Sequence, residues 1–107
     1  MNFDQNKLMN TLNTCWNVLP KLVFAINKVP QGHYTYNNSA VKIVHNNKPK
    51  ETLIYLQGDS EYAMAGVISK DTIEFPAISP KNIPHLEDVC ELYNDLSKGD
   101  TSGLITK

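Results

Sequence analysis

The hydrophobic pattern of this 107-residue chain predicts an α+β domain. Two N-terminal helices precede an antiparallel meander of four or five strands, and one C-terminal helix packs on the sheet. Three observations lead there. Residues 51–78 read as three consecutive strands joined by short polar turns. Leu8, Leu12, Cys15 and Leu19 recur at helical spacing near the N-terminus, widened by Met9 and Trp16. Leu86, Val89, Cys90, Tyr93 and Leu96 form a second such stripe near the C-terminus.

Taken in order, residues 5–19 fit an amphipathic helix with Asp4 as its N-cap. Asn6, Asn10, Asn13 and Asn17 are poor helix formers, so packing must hold it. Pro20 ends that helix and suits the first turn of a second, 20–28, with Leu22, Val23 and Ile26 inward. The Val29-Pro30-Gln31-Gly32 segment stops it. Residues 33–45 read as a hairpin turning at Asn37-Asn38, because asparagine tolerates the positive φ of a tight turn.

The run 52–57 is apolar at both parities, which predicts a central strand covered on both faces. In 62–68, Tyr62, Met64 and Ile68 are expected on one face and Ala63, Ala65 and Val67 on the other. The small side chains there invite a close neighbour. A helical reading of 60–69 is the alternative, since Ala and Met favour helices. Ile73 and Phe75 alternate with Thr72 and Glu74 up to Pro76, which marks an edge or an end. After an irregular 79–83, a helix is expected from Pro84, with Glu87 and Asp88 early and Lys98-Gly99 at its end. Residues 100–107 read as a loose tail, in which Leu104 and Ile105 could pair with a strand.

The length fits one domain, 1–107, large enough to need neither metal nor disulfide. Cys15 and Cys90 both fall on apolar stripes and read as buried free thiols, a bridge between them being the alternative. No signal peptide or membrane span is legible, because Asp4 and Lys7 interrupt the start and the apolar run 22–26 is short. A cytoplasmic protein is the simplest expectation.

The basic residues are ten lysines, with no arginine, and asparagine occurs twelve times. Arginine is the side chain best suited to bidentate contacts with phosphate or guanine, so nucleic acid is a poor expected partner. Residues 1–58 carry six lysines against two acids, a net +4. Residues 59–107 carry four lysines against nine acids, a net −5.

The chain has no recognisable catalytic or cofactor signature. His33, His45 and His85 show no metal-ligand spacing, neither cysteine sits in a CxxC, and the five glycines build no phosphate loop. His85-Leu86-Glu87-Asp88 reads as a solvated helix start. His33 and His45 are expected as a cross-strand polar pair. No cofactor and no metal are expected.

The most suggestive feature is the acidic side. Glu87, Asp88, Glu91 and Asp95 are expected on the outer face of the last helix, with Asp59, Glu61, Asp71 and Glu74 at or beside the turns of the sheet. Tyr55, Tyr62 and Tyr93 are expected to supply amphipathic anchors. Such a surface suits docking to a basic protein. The leading expectation is a small non-catalytic binder of the immunity-protein or antitoxin type, covering a basic, nuclease-type bacterial toxin. Two alternatives stand beside it. One is an enzyme or ligand-binding domain with a helix–sheet pocket lined by Tyr34, His45, Tyr55 or Asp59. The other is an adaptor, secretion chaperone or homodimer module.

Overall fold

The computed structural model describes residues 5–57, 62–75 and 86–106. Among them the elements run α1 (Gln5–Asn17), α2 (Leu19–Asn27), β1 (Gly32–Tyr36), β2 (Ser39–Asn47), β3 (Lys50–Gln57), β4 (Tyr62–Ile68), β5 (Ile73–Glu74), α3 (Leu86–Ser97) and β6 (Ile105–Thr106). The strands form one antiparallel sheet in the order β5-β4-β3-β2-β1-β6. This is the expected α+β meander, with six strands rather than four or five. The expected cap at Asp4, the turn at 58–60, Pro76, the irregular 79–83, Pro84 and His85 lie outside the described residues, as does the side chain of Leu86.

The sixth strand comes from the segment expected as a loose tail. Thr106 pairs with Tyr34 and Ile105 with Thr35 on β1. Leu104 packs against the core while Ile105 points outward, 59% exposed. Two residues of alternation are too few to read as a strand from sequence.

All three helices cover one face of the sheet, and α3 contacts both α1 and α2. The covered face carries Tyr34, Tyr36, Val41, Ile43, Ile54 and Leu56, all buried in one cluster with Leu19, Leu22, Ile26, Val89, Leu92, Tyr93 and Leu96. The other face carries Lys42, Val44, Leu53 and Tyr55, each half-buried. β3 therefore alternates between buried and half-buried along its length, contrary to the expectation of cover on both faces. Its second apolar set, Leu53 and Tyr55, is screened by same-face neighbours instead: Val44 and Val67 flank Leu53, and Lys42 lies over the Tyr55 ring at 5.5 Å.

β4 departs from simple alternation. Its register against β3 shifts between Ile54 and Tyr55, so that Gly66 faces Ile54, Met64 faces Tyr55, and Ala65 is the extra residue of a bulge. Beyond the bulge the parity inverts. Val67 joins Tyr62 and Met64 on the open face, and Ile68 joins Ala63 on the helix face, the reverse of the expectation for 67 and 68. The small residues do admit a close neighbour, as expected. Tyr93 of α3 is fully buried there and its hydroxyl donates to the Ala65 carbonyl at 3.0 Å.

The stripe of α1 is also rotated from expectation, whereas Leu22 and Ile26 of α2 and Val89, Cys90, Tyr93 and Leu96 of α3 are buried as expected. On α1 the buried residues are Thr11 and Cys15, with Leu12 packed against the core, while Met9 and Trp16 are 48% and 45% exposed. α1 contacts α3 rather than lying centrally on the sheet, so it buries a narrower strip than its apolar content allows. On α2, Pro20 sits in the first turn as expected, and the Val18 carbonyl accepts the N–H groups of Lys21 and Leu22.

Candidate functional site

The acidic flank of α3 is built against the β1–β2 hairpin. Asn37, at φ 50°, makes the tight turn that brings its own amide and the Ser39 hydroxyl to the helix. The Asn37 side-chain amide donates to Asp88 Oδ1 at 3.2 Å and to Glu91 Oε2 at 2.8 Å. Ser39 Oγ donates to Asp88 Oδ2, and the Tyr36 hydroxyl donates to Asp95 Oδ2 at 2.5 Å. Glu87, at the start of the row, forms an ion pair with Lys7 of α1.

This corrects the placement of the four acids on an outer face. Glu87 and Glu91 are exposed, but Asp88 and Asp95 are half-buried at the helix–hairpin seam. The reason lies in the width of the buried surface of α3, which takes in Leu92 and Ser97 besides the expected stripe and so turns Asp88 and Asp95 into its flank. Tyr36, Asn37 and Ser39 have no local sequence signal for this role. Only the register that places Tyr36 opposite Ser39 brings them together.

Asn37, Ser39 and Tyr36 are neutral donors, which satisfy lone pairs without cancelling a negative charge. The field is felt locally. Burial pushes the Tyr36 phenol well above its usual pKa, and its bond to Asp95 together with the charges of Asp95, Glu91 and Asp88 pushes it further. Lys7 is held above its usual value, mainly by its hydrogen bond to Glu87.

The remaining expected acids are not part of this row. Asp59 and Glu61 lie outside the described residues. Glu74 is exposed on β5, paired with Val67 of the open face. Asp71 belongs to the β4–β5 turn. Among the expected anchors, Tyr93 is fully buried and unavailable to a partner, because its ring fills the space above the β4 bulge. Tyr55 and Tyr62 are half-buried on the open face, where Tyr62 approaches the His33 ring at 6.1 Å between centroids.

A cavity of about 580 Å³ opens at the far end of the sheet, between the last turns of α2, the β2–β3 hairpin and the β4–β5 turn. Among the described residues, His45 is the one expected pocket residue that lines it. Tyr34 is instead buried, its hydroxyl donating to the Pro30 carbonyl, and Tyr55 sits on the open face. The imidazole is held at both nitrogens, Nε2 lying 2.6 Å from the Val29 carbonyl and Nδ1 2.8 Å from Thr52 Oγ1. A carbonyl only accepts, so Nε2 carries a proton, and Nδ1 shares a hydrogen bond with the Thr52 hydroxyl, which can donate or accept. A ring held this way is a wall and not a free base. Lys50, Glu51, Lys70 and Asp71 form the charged part of the described lining; sequence reasoning singled out only Asp71, as a member of the acidic side, because charges at turns read as solvated.

The two strand histidines do not form the expected pair. His33 faces Lys42 on the open side, whereas His45 follows Val41 and Ile43 onto the helix side. Both cysteines are buried, and neither is in a disulfide. Ser97 Oγ donates to the Tyr93 carbonyl at 2.8 Å and lies 3.5 Å from Cys15 Sγ. Burial is the main cause holding the Cys15 thiol above its usual pKa, which is the opposite of nucleophile activation. Among the described residues no group of three or more His, Cys, Asp or Glu side chains could hold a metal ion. No helix among them is long and apolar enough to cross a membrane. Comparison of the chain with protein-family models, with curated proteins and with solved structures finds no match.

Proposed function

We propose that this chain is a non-catalytic protein-binding domain of the immunity-protein or antitoxin kind, acting in the cytoplasm. Its partner would be a basic bacterial toxin domain of the nuclease type. The observation that carries this reading is the row Asp88, Glu91 and Asp95, held by neutral donors that fix the carboxylates without cancelling a negative charge. A rigid, charged ridge steers a basic partner and loses little side-chain entropy when it docks. A toxin that grips a phosphate backbone must present lysine or arginine, which such a ridge complements. Catalysis has no comparable support, since His45 is held at both nitrogens and the Cys15 thiol is buried.

The test begins with affinity purification of the tagged chain from its native host at low salt. The expected result is a stoichiometric basic protein that high salt strips off and that is toxic when expressed without this chain. Glu91→Lys should then weaken the complex at least about tenfold. It removes an exposed carboxylate whose partner, Asn37, also bonds Asp88. Asp88 and Asp95 are unsuited to charge reversal because each is tied into the seam. An unaltered complex with the Glu91→Lys variant, or a chain that purifies alone, removes the acidic ridge from the functional reading.

A further inference from the structure

We infer that the cavity beside His45 is a binding site for a small zwitterion, a free amino acid or a dipeptide with an apolar side chain. This does not rest on the toxin-binding reading, because the cavity and the acidic ridge occupy opposite ends of the sheet. Ser39 and His45 lie six residues apart on β2, roughly 20 Å along a strand.

The size is suitable. About 580 Å³ falls within the roughly 300–1,000 Å³ range of small-molecule pockets. The lining combines three chemistries. Lys50 and Lys70 offer ammonium groups, Glu51 and Asp71 offer carboxylates, and Val23 and Ile68 provide an apolar surface. Among the described lining residues the two signs are equal in number, which disfavours a polyanion and a simple cation alike. The site matches a ligand carrying one of each charge on a compact apolar body. Asn27, Asn46 and Asn47 add amides that donate or accept.

Two walls are held in place. His45 is fixed by Val29 and Thr52, and Thr52 is itself buried. The β4–β5 turn that presents Lys70 and Asp71 is closed by the Ser69 N–H donating to the Thr72 carbonyl at 2.9 Å. It is closed again by the Thr72 N–H donating to Ser69 Oγ at 3.2 Å. The closed turn fixes where the Lys70 and Asp71 backbones stand, so the turn itself needs no ordering on binding. The described lining residues include no tyrosine, phenylalanine or tryptophan on which a nucleobase could stack.

The experiment is a chemical-shift titration of the full chain, followed by amide resonances. The probes are leucine, a leucine–leucine dipeptide, leucine blocked at both ends, and inorganic phosphate. We expect saturable shifts at Asn46, Asn47, Lys50 and residues 69–71 with leucine or the dipeptide, and the stronger of the two identifies the source. Lys70→Ala and Asp71→Ala should each weaken that binding at least about tenfold, while Glu91→Lys leaves it unchanged. Val23→Phe, which places bulk in the cavity, should abolish binding with the circular-dichroism spectrum retained. Equal binding of blocked leucine would show that charge is not read and would overturn the inference. So would binding of phosphate in place of the zwitterions, absence of any saturable shift, or binding that survives Val23→Phe.

Discussion

Gly66 offers the sharpest test of how the helix layer is keyed to the sheet. A Cβ at this position would stand 1.7 Å from the Tyr93 hydroxyl oxygen and 2.9 Å from Cζ. The ring has nowhere to retreat, because Tyr93 is fully buried and Phe75 packs on it at 4.7 Å between centroids. Gly66→Ala must therefore displace the phenol, which loses its bond to the Ala65 carbonyl. Overpacking a closed site costs about 1–3 kcal/mol. Stranding a buried hydroxyl or carbonyl costs about 1–3 kcal/mol more. The expected loss is about 2–6 kcal/mol, a large share of the roughly 5–15 kcal/mol by which a domain is stable. Urea unfolding should show it as a lower midpoint with an unchanged slope. Tyr93→Phe alone should cost about 1–2 kcal/mol by orphaning the carbonyl. In the Gly66→Ala background it should cost less than that or stabilise, because the clashing oxygen is gone. A Gly66→Ala midpoint close to that of the parent chain, or a strictly additive double-mutant cycle, would refute the keying of Tyr93 into the bulge.

Four further outcomes are expected. Ile54→Ala, on the covered face of β3, should cost about 2–5 kcal/mol in urea unfolding. Val44→Ala, half-buried on the open face, should cost no more than about 1 kcal/mol. The Tyr36 phenol is raised above its ordinary value near 10, so the unfolded chain releases that proton first. Stability present below pH 10 should therefore be lost as pH rises through the alkaline range, and thermal melts of Tyr36→Phe should lose less over the same interval. Cys15 and Cys90 are both fully buried, so a thiol reagent should label neither in the native chain and both once denaturant unfolds it.

The elements with strong periodicity were legible in the amino-acid order. Pro20 within the first turn of α2, the Asn37-Asn38 turn and the stripe of α3 each arise from local chemistry that the fold leaves intact. The faces of β3 and β4 were not legible, and the reasons differ. Leu53 and Tyr55 are apolar on an uncovered face because cross-strand neighbours screen them, and apolar content alone cannot distinguish this from burial under a layer. At β4 a single extra residue, Ala65, inverts the parity of Val67 and Ile68, and nothing in Ala-Met-Ala-Gly announces which residue will be left out of the pairing. Trp16 misled for a third reason. Its spacing fits the stripe of α1, yet α1 packs mainly on α3, so the ring at the stripe's margin stays exposed. The acids were legible as a row but not as a seam, because the Asn37, Ser39 and Tyr36 donors are 49 to 59 residues away in sequence.

The seam imposes a division of labour on the acidic row that bears on any partner it meets. Asp88 and Asp95 close hydrogen bonds that attach α3 to the β1–β2 hairpin, so removing either leaves Ser39 or Tyr36 without its acceptor inside a half-buried contact. That loss is structural, about 1 kcal/mol or somewhat more for each bond to a charged group. Glu91 shares its donor with Asp88 and is exposed, and Glu87 is exposed beside Lys7, so these two can be altered with little change to the seam. A partner that read Asp88 or Asp95 directly would have to compete with donors already in place. One that read Glu91 and Glu87 would meet side chains already held, by Asn37 of the hairpin and by Lys7 of α1. Preorganisation of that kind lowers the ordering cost of docking without adding a contact. Substitutions in Asp88 and Asp95 should therefore appear first in stability, and substitutions in Glu87 and Glu91 first in partner dissociation. The ridge works as a docking surface only if those two effects separate.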